Sequence, residues 1–178
     1  MGKLNPAVNG PWLVLILSAA LAGHALAAEV VLPIAASAVP RDPMGQVRKN
    51  AEKGDQNAQY ELGCAYNGDA GWTRDPAAAA QWWARAAAQG LSDAQYCLGL
   101  SYYMGQGVPK DAAVAAQWWE KAAEQNHAAA QYFLGLCYWA GIGVAQSPPR
   151  ARYWMREAAT NGNESAAAFL RKTRPASG

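Results

Sequence analysis

The chain has 178 residues, of which 52% are hydrophobic and 16% are charged, and its formal net charge at pH 7 is +2. A charge this small argues against non-specific nucleic-acid binding, which needs a strongly basic surface. Removal of an N-terminal segment that contains Lys3 would lower the net charge further, so the argument also holds for a processed chain.

Residues 1–27 have the pattern of a secretory signal peptide. Lys3 precedes an uncharged apolar run over residues 12–22, and Ala25-Leu26-Ala27 follows as a small-residue cleavage site. We therefore expect cleavage after Ala27 and export to a periplasm or to the outside of the cell. The alternative is an uncleaved membrane anchor, but the apolar run is about half of the roughly 20 residues that a spanning helix needs.

Residues 28–43 separate this segment from the periodic part of the chain. Pro33, Pro40 and Pro43 stand here among small residues. They predict an extended linker, because proline fixes φ and lacks an N–H donor. The periodic part covers residues 44–174, and residues 175–178 are expected to form a loose tail.

The periodic part repeats a short motif at intervals of 36 residues. The motif reads Ala58-Gln59-Tyr60-Glu61-Leu62-Gly63, then Ala94-Gln95-Tyr96-Cys97-Leu98-Gly99, then Ala130-Gln131-Tyr132-Phe133-Leu134-Gly135. A second motif keeps the same interval as Gln81-Trp82-Trp83, Gln117-Trp118-Trp119 and Tyr153-Trp154-Met155. Strict repetition at this length indicates stacked copies of one supersecondary unit, because a single unit cannot bury its apolar face.

One such unit, residues 91–126, predicts two helices joined by a glycine loop. Ala94, Leu98 and Tyr102 share one face of the first helix. Residues 104–110 contain two glycines and a proline, which end that helix. The predicted N-cap residues of the second helices are Asp75, Asp111 and Ser147, and the residues expected to close these helices in a left-handed conformation are Gly90, Asn126 and Gly162.

This pattern resembles the Sel1-like repeat, a relative of the tetratricopeptide repeat. The full repeats are residues 55–90, 91–126 and 127–162, with half-repeats at both ends of the array. The chain departs from the pattern in its first loop, where Trp72 replaces a valine, and in the second helix of its third copy. The resemblance implies an all-α, right-handed superhelical solenoid of helix pairs, with the first helices on the concave side and protein–protein contact as its main use.

Five tryptophans recur at fixed positions of the second helices, namely Trp82, Trp83, Trp118, Trp119 and Trp154. A residue repeated at the period is typical of packing between units, since each buried indole removes about 150–250 Å² of surface from water. We therefore interpret these rings as core residues, together with Tyr66, Tyr102 and Tyr138, and not as a ligand platform.

Partner contacts are expected where the first helices face the concave side of the solenoid and at positions that differ between copies. The predicted partner-binding residues are Asn57, Tyr60, Asp93, Tyr96, Tyr103, Tyr132 and Trp139. The alternative for the three periodic tyrosines is a packing role common to the family. Tyr103 and Trp139 vary between copies and are therefore the stronger candidates.

The repeats predict no catalytic residue, no metal ligand and no cofactor. His127, the one histidine beyond residue 27, is expected to be an exposed turn residue. No serine of the array is followed three places later by lysine, as a penicillin-binding nucleophile would require. Three cysteines permit one disulfide in an exported protein, but helix spacing disfavours a bridge between Cys64 and Cys97, and the pairing stays open.

The resulting prediction is an exported, monomeric, non-catalytic module that binds a protein or peptide as an adaptor or regulatory scaffold. It implies no stable membrane insertion after cleavage. A second hypothesis is a cell-wall glycan or wall-peptide binder, which exposed rings at Trp72, Tyr103 and Trp139 would favour. A third is a hydrolase acting on wall peptides or β-lactams, which would require a reactive serine.

Overall fold

The computed structural model describes residues 44–68 and 73–173, which form an all-α solenoid of stacked helix pairs. Over this part of the chain the helices are α1 (Gly45–Glu52), α2 (Gln56–Tyr66), α3 (Pro76–Ala88), α4 (Ser92–Met104), α5 (Ala112–Glu124), α6 (Ala128–Ala140), α7 (Pro148–Thr160) and α8 (Glu164–Lys172). Helices α2, α4 and α6 are the first helices of successive pairs, and α3, α5 and α7 are the second helices. The predicted fold class is thereby confirmed.

Several sequence predictions concern residues outside the described ranges. These are the signal peptide over residues 1–27, the linker over residues 28–43, Trp72 in the first loop, and the tail over residues 175–178. Among the helices that the structure describes, none combines the length and the apolar character that crossing a membrane would require.

Each helix pair closes around a glycine of the first helix and a large side chain of the second. The indole of Trp119 is fully buried against Gly99, and its Nε1 donates to the backbone oxygen of Tyr96 at 3.3 Å. A Cβ at Gly99 would lie 2.6 Å from the Trp119 Cδ1 atom, so a side chain there would displace the indole. The same contact joins Trp83 to Gly63 and Met155 to Gly135.

The loops within the pairs follow the predicted turn chemistry. Gly105 and Gly141 end α4 and α6 in the left-handed conformation, with φ values of 72° and 70°. The Asp111 carboxylate then accepts two backbone N–H groups at the start of α5, at 2.9 and 3.0 Å. Asp75 caps α3 in the same way, whereas Ser147 holds the cap position of α7 without a side-chain hydrogen bond. The closing residues Gly90, Asn126 and Gly162 all have positive φ, as predicted.

A ladder of buried glutamines joins each pair to its neighbours. Gln59 is 5% exposed, and its Nε2 donates to the Ala51 backbone oxygen at 3.1 Å. Its Oε1 accepts from Gln89 Nε2 at 2.8 Å. Gln95 joins Ala87 to Gln125, and Gln131 joins Ala123 to Asn161, with the same donors and acceptors. Since a buried amide is stabilising only when its donor and acceptor are both satisfied, this periodic polar residue is structural. No role for this glutamine is predicted from the sequence alone.

Helix α8 departs from the other first helices at two periodic positions. Ala167 stands where the ladder places Gln131, and Arg171 stands where Gly135 admits Met155. The glutamine ladder and the glycine contact therefore do not extend to α8.

The prediction for the tryptophans needs a correction. Trp83 and Trp119 are buried, but Trp82, Trp118 and Trp154 are only half-buried. Arg85 lies over the Trp82 ring at 4.3 Å, and Lys121 lies over the Trp118 ring at 4.2 Å. In repeats one and two the second tryptophan of the motif faces the glycine of its own pair, whereas the first lies at the edge between pairs. A basic residue three positions later covers the first tryptophan in repeats one and two.

Candidate functional site

The predicted partner-binding residues lie on α2, α4 and α6, on a side of these helices whose residues are exposed or half-buried. We call this side, from Asn57 to Trp139, the first-helix surface. Asn57, Asp93 and Trp139 are exposed, and the four tyrosines among the predicted residues are half-buried. The helical register explains the arrangement, because residues such as Leu62 and Leu98 point to the core from the opposite side.

A run of aromatic rings connects the second and third repeats. The Tyr96 ring lies 6.0 Å from the Phe133 ring, measured between centroids, and Phe133 lies 5.7 Å from Tyr132. Phe133 also stacks on the buried Trp119 at 5.1 Å. The core beneath therefore holds the rings of the surface in position. Because these side chains are already ordered, less conformational entropy is lost when a ligand binds to them.

His127 differs from the prediction of an exposed turn residue. It is half-buried and caps α6, where its Nδ1 accepts the backbone N–H of Ala130 at 3.1 Å. Its Nε2 lies 3.2 Å from Asp93 Oδ1, and its ring stacks on Tyr96 with centroids 4.7 Å apart. The cap bond requires an unprotonated Nδ1, so the neutral ring carries its proton on Nε2 and donates it to Asp93. Both ring nitrogens are engaged in this way.

Tyr60 forms a second polar centre, on the first repeat. The pKa of Tyr60 is raised well above its ordinary value of 10.0. Burial is the largest cause, followed by the neighbouring thiols of Cys97 and Cys64, a hydrogen bond with Cys64, and the Asp93 carboxylate. The phenol therefore stays neutral at physiological pH. Burial is also the largest cause of the raised pKa of Tyr96, followed by Cys97.

The cysteines are not joined by disulfide bonds in the structure. Cys64 and Cys97 are half-buried beside Tyr60, and Cys137 is buried on α6. Burial raises the pKa of the Cys137 thiol to about 11. Within the described residues, no three histidine, cysteine or acidic side chains are grouped so that they could hold a metal ion.

The rim of the surface lies where the first helices end. Tyr103 packs on Trp119 with ring centroids 5.5 Å apart, so it contributes to the core as well as to the rim. Trp139 is 37% exposed and meets Phe169 edge-on at 5.2 Å. Met104 and Ile142 are also exposed at this rim. The sequence analysis missed them, although both are apolar and differ from their counterparts in the other copies.

The structure thus brings five of the seven predicted residues into one connected group. Tyr60 lies near Asp93, Asp93 contacts His127, and Tyr96 is connected to Tyr132 through Phe133. Tyr103 joins this group through Trp119, which also contacts Phe133. Trp139 is linked instead to α8, through Phe169. Such a surface offers ring faces, phenol groups and carboxylate acceptors to a ligand.

The fold and this surface define a solenoid repeat protein, a class whose extended surfaces typically serve as scaffolds for protein interaction. Comparison with models of protein families matches the Sel1 repeat at residues 56–91, 92–127 and 128–163. The chain therefore belongs to the Sel1 repeat family. A comparison with curated protein sequences found no match.

Solved structures of the same fold include three bacterial proteins. The Sel1 repeat protein of Oxalobacter formigenes is 39% identical with a TM-score of 0.66, over 71% of this chain and 96% of that one. A protective antigen of uropathogenic Escherichia coli with an SLR fold is 38% identical with a TM-score of 0.67, over 72% of this chain and 29% of that one. Cysteine rich protein B of Helicobacter pylori, at 24% identity and a TM-score of 0.60 over 71% of this chain and 94% of that one, shows similarity of fold alone.

Proposed function

We propose that this protein is an exported, non-catalytic adaptor or regulatory scaffold that binds a protein or peptide on its first-helix surface. The observation that carries the proposal is the aromatic run of Tyr96, Phe133 and Tyr132, which is fixed from below by Trp119. Pre-positioned aromatic rings are typical anchors of protein interfaces. The signal-peptide pattern of residues 1–27 supports export.

Variation between copies also supports this surface. The position of Phe133 holds Glu61 in the first repeat and Cys97 in the second. A solenoid can be selective for one partner only where its copies differ, because identical copies would bind in any register. The engagement of both His127 nitrogens in structural contacts agrees with a non-catalytic role.

Site-specific photocrosslinking in the native cell envelope tests the proposal. A photoreactive amino acid is placed at Asn57, Ala129 or Ser165, which hold one repeat position on the first-helix side. The matched control positions are Gln81, Gln117 and Tyr153, which hold one exposed position on the second helices. Crosslinks to the same protein from the first set, and none from the control set, are expected. Crosslinks from the control set alone would contradict the proposal.

A second candidate function, glycan binding, is favoured by one observation, the exposed ring of Trp139. Tyr103 contributes less to it, because its ring is packed on Trp119. Co-sedimentation with insoluble cell-wall glycan, comparing the wild type with Trp139→Ala, tests this alternative. Sedimentation that depends on Trp139, together with an absence of protein crosslinks, would replace the adaptor proposal with glycan binding.

A further inference from the structure

The charged residues of the array are divided unequally between its first and second helices. The described helices α2, α4 and α6 contain no lysine or arginine, and their only charged side chains are Glu61 and Asp93, both exposed. The second helices contain the basic residues Arg85, Lys121, Arg150, Arg152 and Arg156. In a chain of net charge +2, the first-helix surface is therefore the acidic one.

The two carboxylates of this surface are accessible to a ligand. Asp55, Asp75 and Asp111 are occupied as helix caps, each accepting backbone N–H groups. Glu61, by contrast, is exposed on the second turn of α2. Asp93 meets His127 at one oxygen, but its side chain is 55% exposed, and a carboxylate can accept further donors at both oxygens.

Polarity also falls along the surface from the first repeat to the third. One repeat position holds Glu61, Cys97 and Phe133 in turn, and another holds Cys64, Leu100 and Leu136. All of these except Glu61 are half-buried, so part of each side chain faces the solvent. The acidic end lies on α2 and α4, and the apolar end lies on α6. Lys172 on α8 holds the repeat position of Cys64, Leu100 and Leu136, one unit after Leu136. The basic residue at this repeat position therefore lies beyond the apolar end of the surface, away from Glu61.

We propose that the occupant of this surface is an extended protein segment with a basic side chain followed or preceded by apolar ones. The basic side chain meets Glu61 and Asp93, and the apolar side chains pack on Tyr96, Phe133 and Leu136. The proposal deepens and rests on the proposed adaptor function. Charge complementarity selects the occupant, because an acidic segment would be repelled at one end and an uncharged one would gain no charge pairing with either carboxylate.

The length of the segment follows from the spacing of the helices. Three neighbouring helices at about 8–10 Å from one another span roughly 20 Å, which about six or seven extended residues cover. The basic and the first apolar side chains should therefore be separated by only a few residues. This makes a short linear peptide a sufficient probe.

Selection from a phage-displayed library of random peptides tests the proposal without assuming a partner. The library should hold peptides of about twelve residues, to allow for flanking positions beyond the span above. The bait is the purified chain, and the selected peptides are compared with those from a Glu61→Gln, Asp93→Asn double variant. The control variant is Glu120→Gln, Glu124→Gln, which removes the same charge from α5. Circular-dichroism melting of all three proteins checks that the fold is retained.

The wild type and the control variant should enrich peptides that combine lysine or arginine with aromatic or aliphatic residues, and both should deplete acidic ones. The double variant should bind a selected basic peptide about 3- to 10-fold more weakly at low ionic strength. The difference should shrink at about 0.5 M salt because exposed charges are then screened.

The remaining outcomes separate the two proposals. Enrichment of apolar peptides without a basic preference, or equal losses in the double variant and the control, would overturn this inference and leave the adaptor function standing. If no peptide is enriched and the crosslinking experiment also yields no partner, both proposals fail. Enrichment of acidic peptides would show that the basic second helices are the docking side.

Discussion

The contacts between repeats and the first-helix surface use the same 36-residue period in opposite ways. Between repeats the solution is identical each time, since Gln59, Gln95 and Gln131 make the same donor and acceptor bonds in three places. On the surface the tyrosines Tyr60, Tyr96 and Tyr132 recur, but neighbouring positions differ between copies, as Glu61, Cys97 and Phe133 illustrate. Stacking requires each unit to fit its neighbour in one way, whereas selective binding requires units that differ.

The comparison also shows where the packing itself is uneven. Trp119 Nε1 donates to the Tyr96 backbone oxygen, but among the described residues the equivalent Trp83 Nε1 is buried without a hydrogen-bond partner. In the third pair Met155 replaces the tryptophan and leaves more room at Gly135. The central pair, α4 with α5, is therefore the most completely satisfied of the three.

The largest effect is expected from the central tryptophan. Trp119→Ala should lower the free energy of unfolding by about 3–5 kcal/mol, because a fully buried ring is removed from its contact with Gly99 between α4 and α5. Trp118→Ala should cost clearly less, since that ring is half-buried at the edge of the core, with Lys121 over one face. Chemical denaturation followed by circular dichroism measures both. Equal losses would contradict the distinction between the two tryptophans of the motif.

The glutamine ladder should come next in size. Gln131→Ala removes two hydrogen bonds, to the Ala123 carbonyl and from the Asn161 amide, and leaves a cavity at a buried position, for an expected loss of about 2–4 kcal/mol. Gln117→Ala is the matched control, because that glutamine is exposed on α5. The control should change stability by less than about 0.5 kcal/mol. If the buried substitution is equally mild, the ladder does not hold the repeats together.

The sequence allowed the fold to be predicted well because the period itself encodes it. Positions such as Leu98, Gly99 and Trp119 recur, and a recurring apolar residue can only be packed in the same place each time. The ladder was missed because a recurring glutamine is equally compatible with an exposed face, until its partners in the adjacent helices are known. The half-burial of Trp118 was missed because a Trp-Trp pair does not reveal which ring faces the glycine.

The surface was predictable only in outline. Helical register was enough to select Tyr96 and Asp93, and it remains a prediction that they contact a partner. The role of His127 could not be predicted from the sequence, because it depends on the fold bringing Asp93 of α4 to 3.2 Å from the His127 Nε2 atom. The packing of Tyr103 on Trp119 likewise depends on the angle between α4 and α5, which no local pattern specifies.

Alkaline pH should weaken the third repeat in particular. Burial raises the pKa of Cys137 from 9.0 to about 11, so its contribution to stability is complete below pH 9 and is lost as the pH rises toward 11. The wild type should therefore lose roughly 1–3 kcal/mol more over this range than Cys137→Ala, since each pKa unit corresponds to about 1.4 kcal/mol. Alanine already occupies this repeat position at Ala65.

Denaturation curves at several pH values between 9 and 11 measure this difference. Losses in Cys137→Ala are expected from about pH 10 upward, because the ordinary pKa of tyrosine is 10.0 and the folded protein raises the pKa values of Tyr60 and Tyr96. A pH dependence that is identical in the two proteins over the lower range would show that the thiol is not the group that titrates.

The smallest expected effect concerns the N-cap residues of α5 and α7, Asp111 and Ser147, which hold the same repeat position. Asp111→Ala removes a carboxylate that accepts two N–H groups at the start of α5, and should cost about 1 kcal/mol. Ser147→Ala should change the stability by less than about 0.5 kcal/mol, because its hydroxyl makes no capping bond. In that loop Pro148 begins the helix, and Arg150 donates to the Tyr138 hydroxyl at 3.1 Å. If Ser147→Ala costs as much as Asp111→Ala, the third unit uses the same cap as the second, and its divergence is confined to Met155 and the surface.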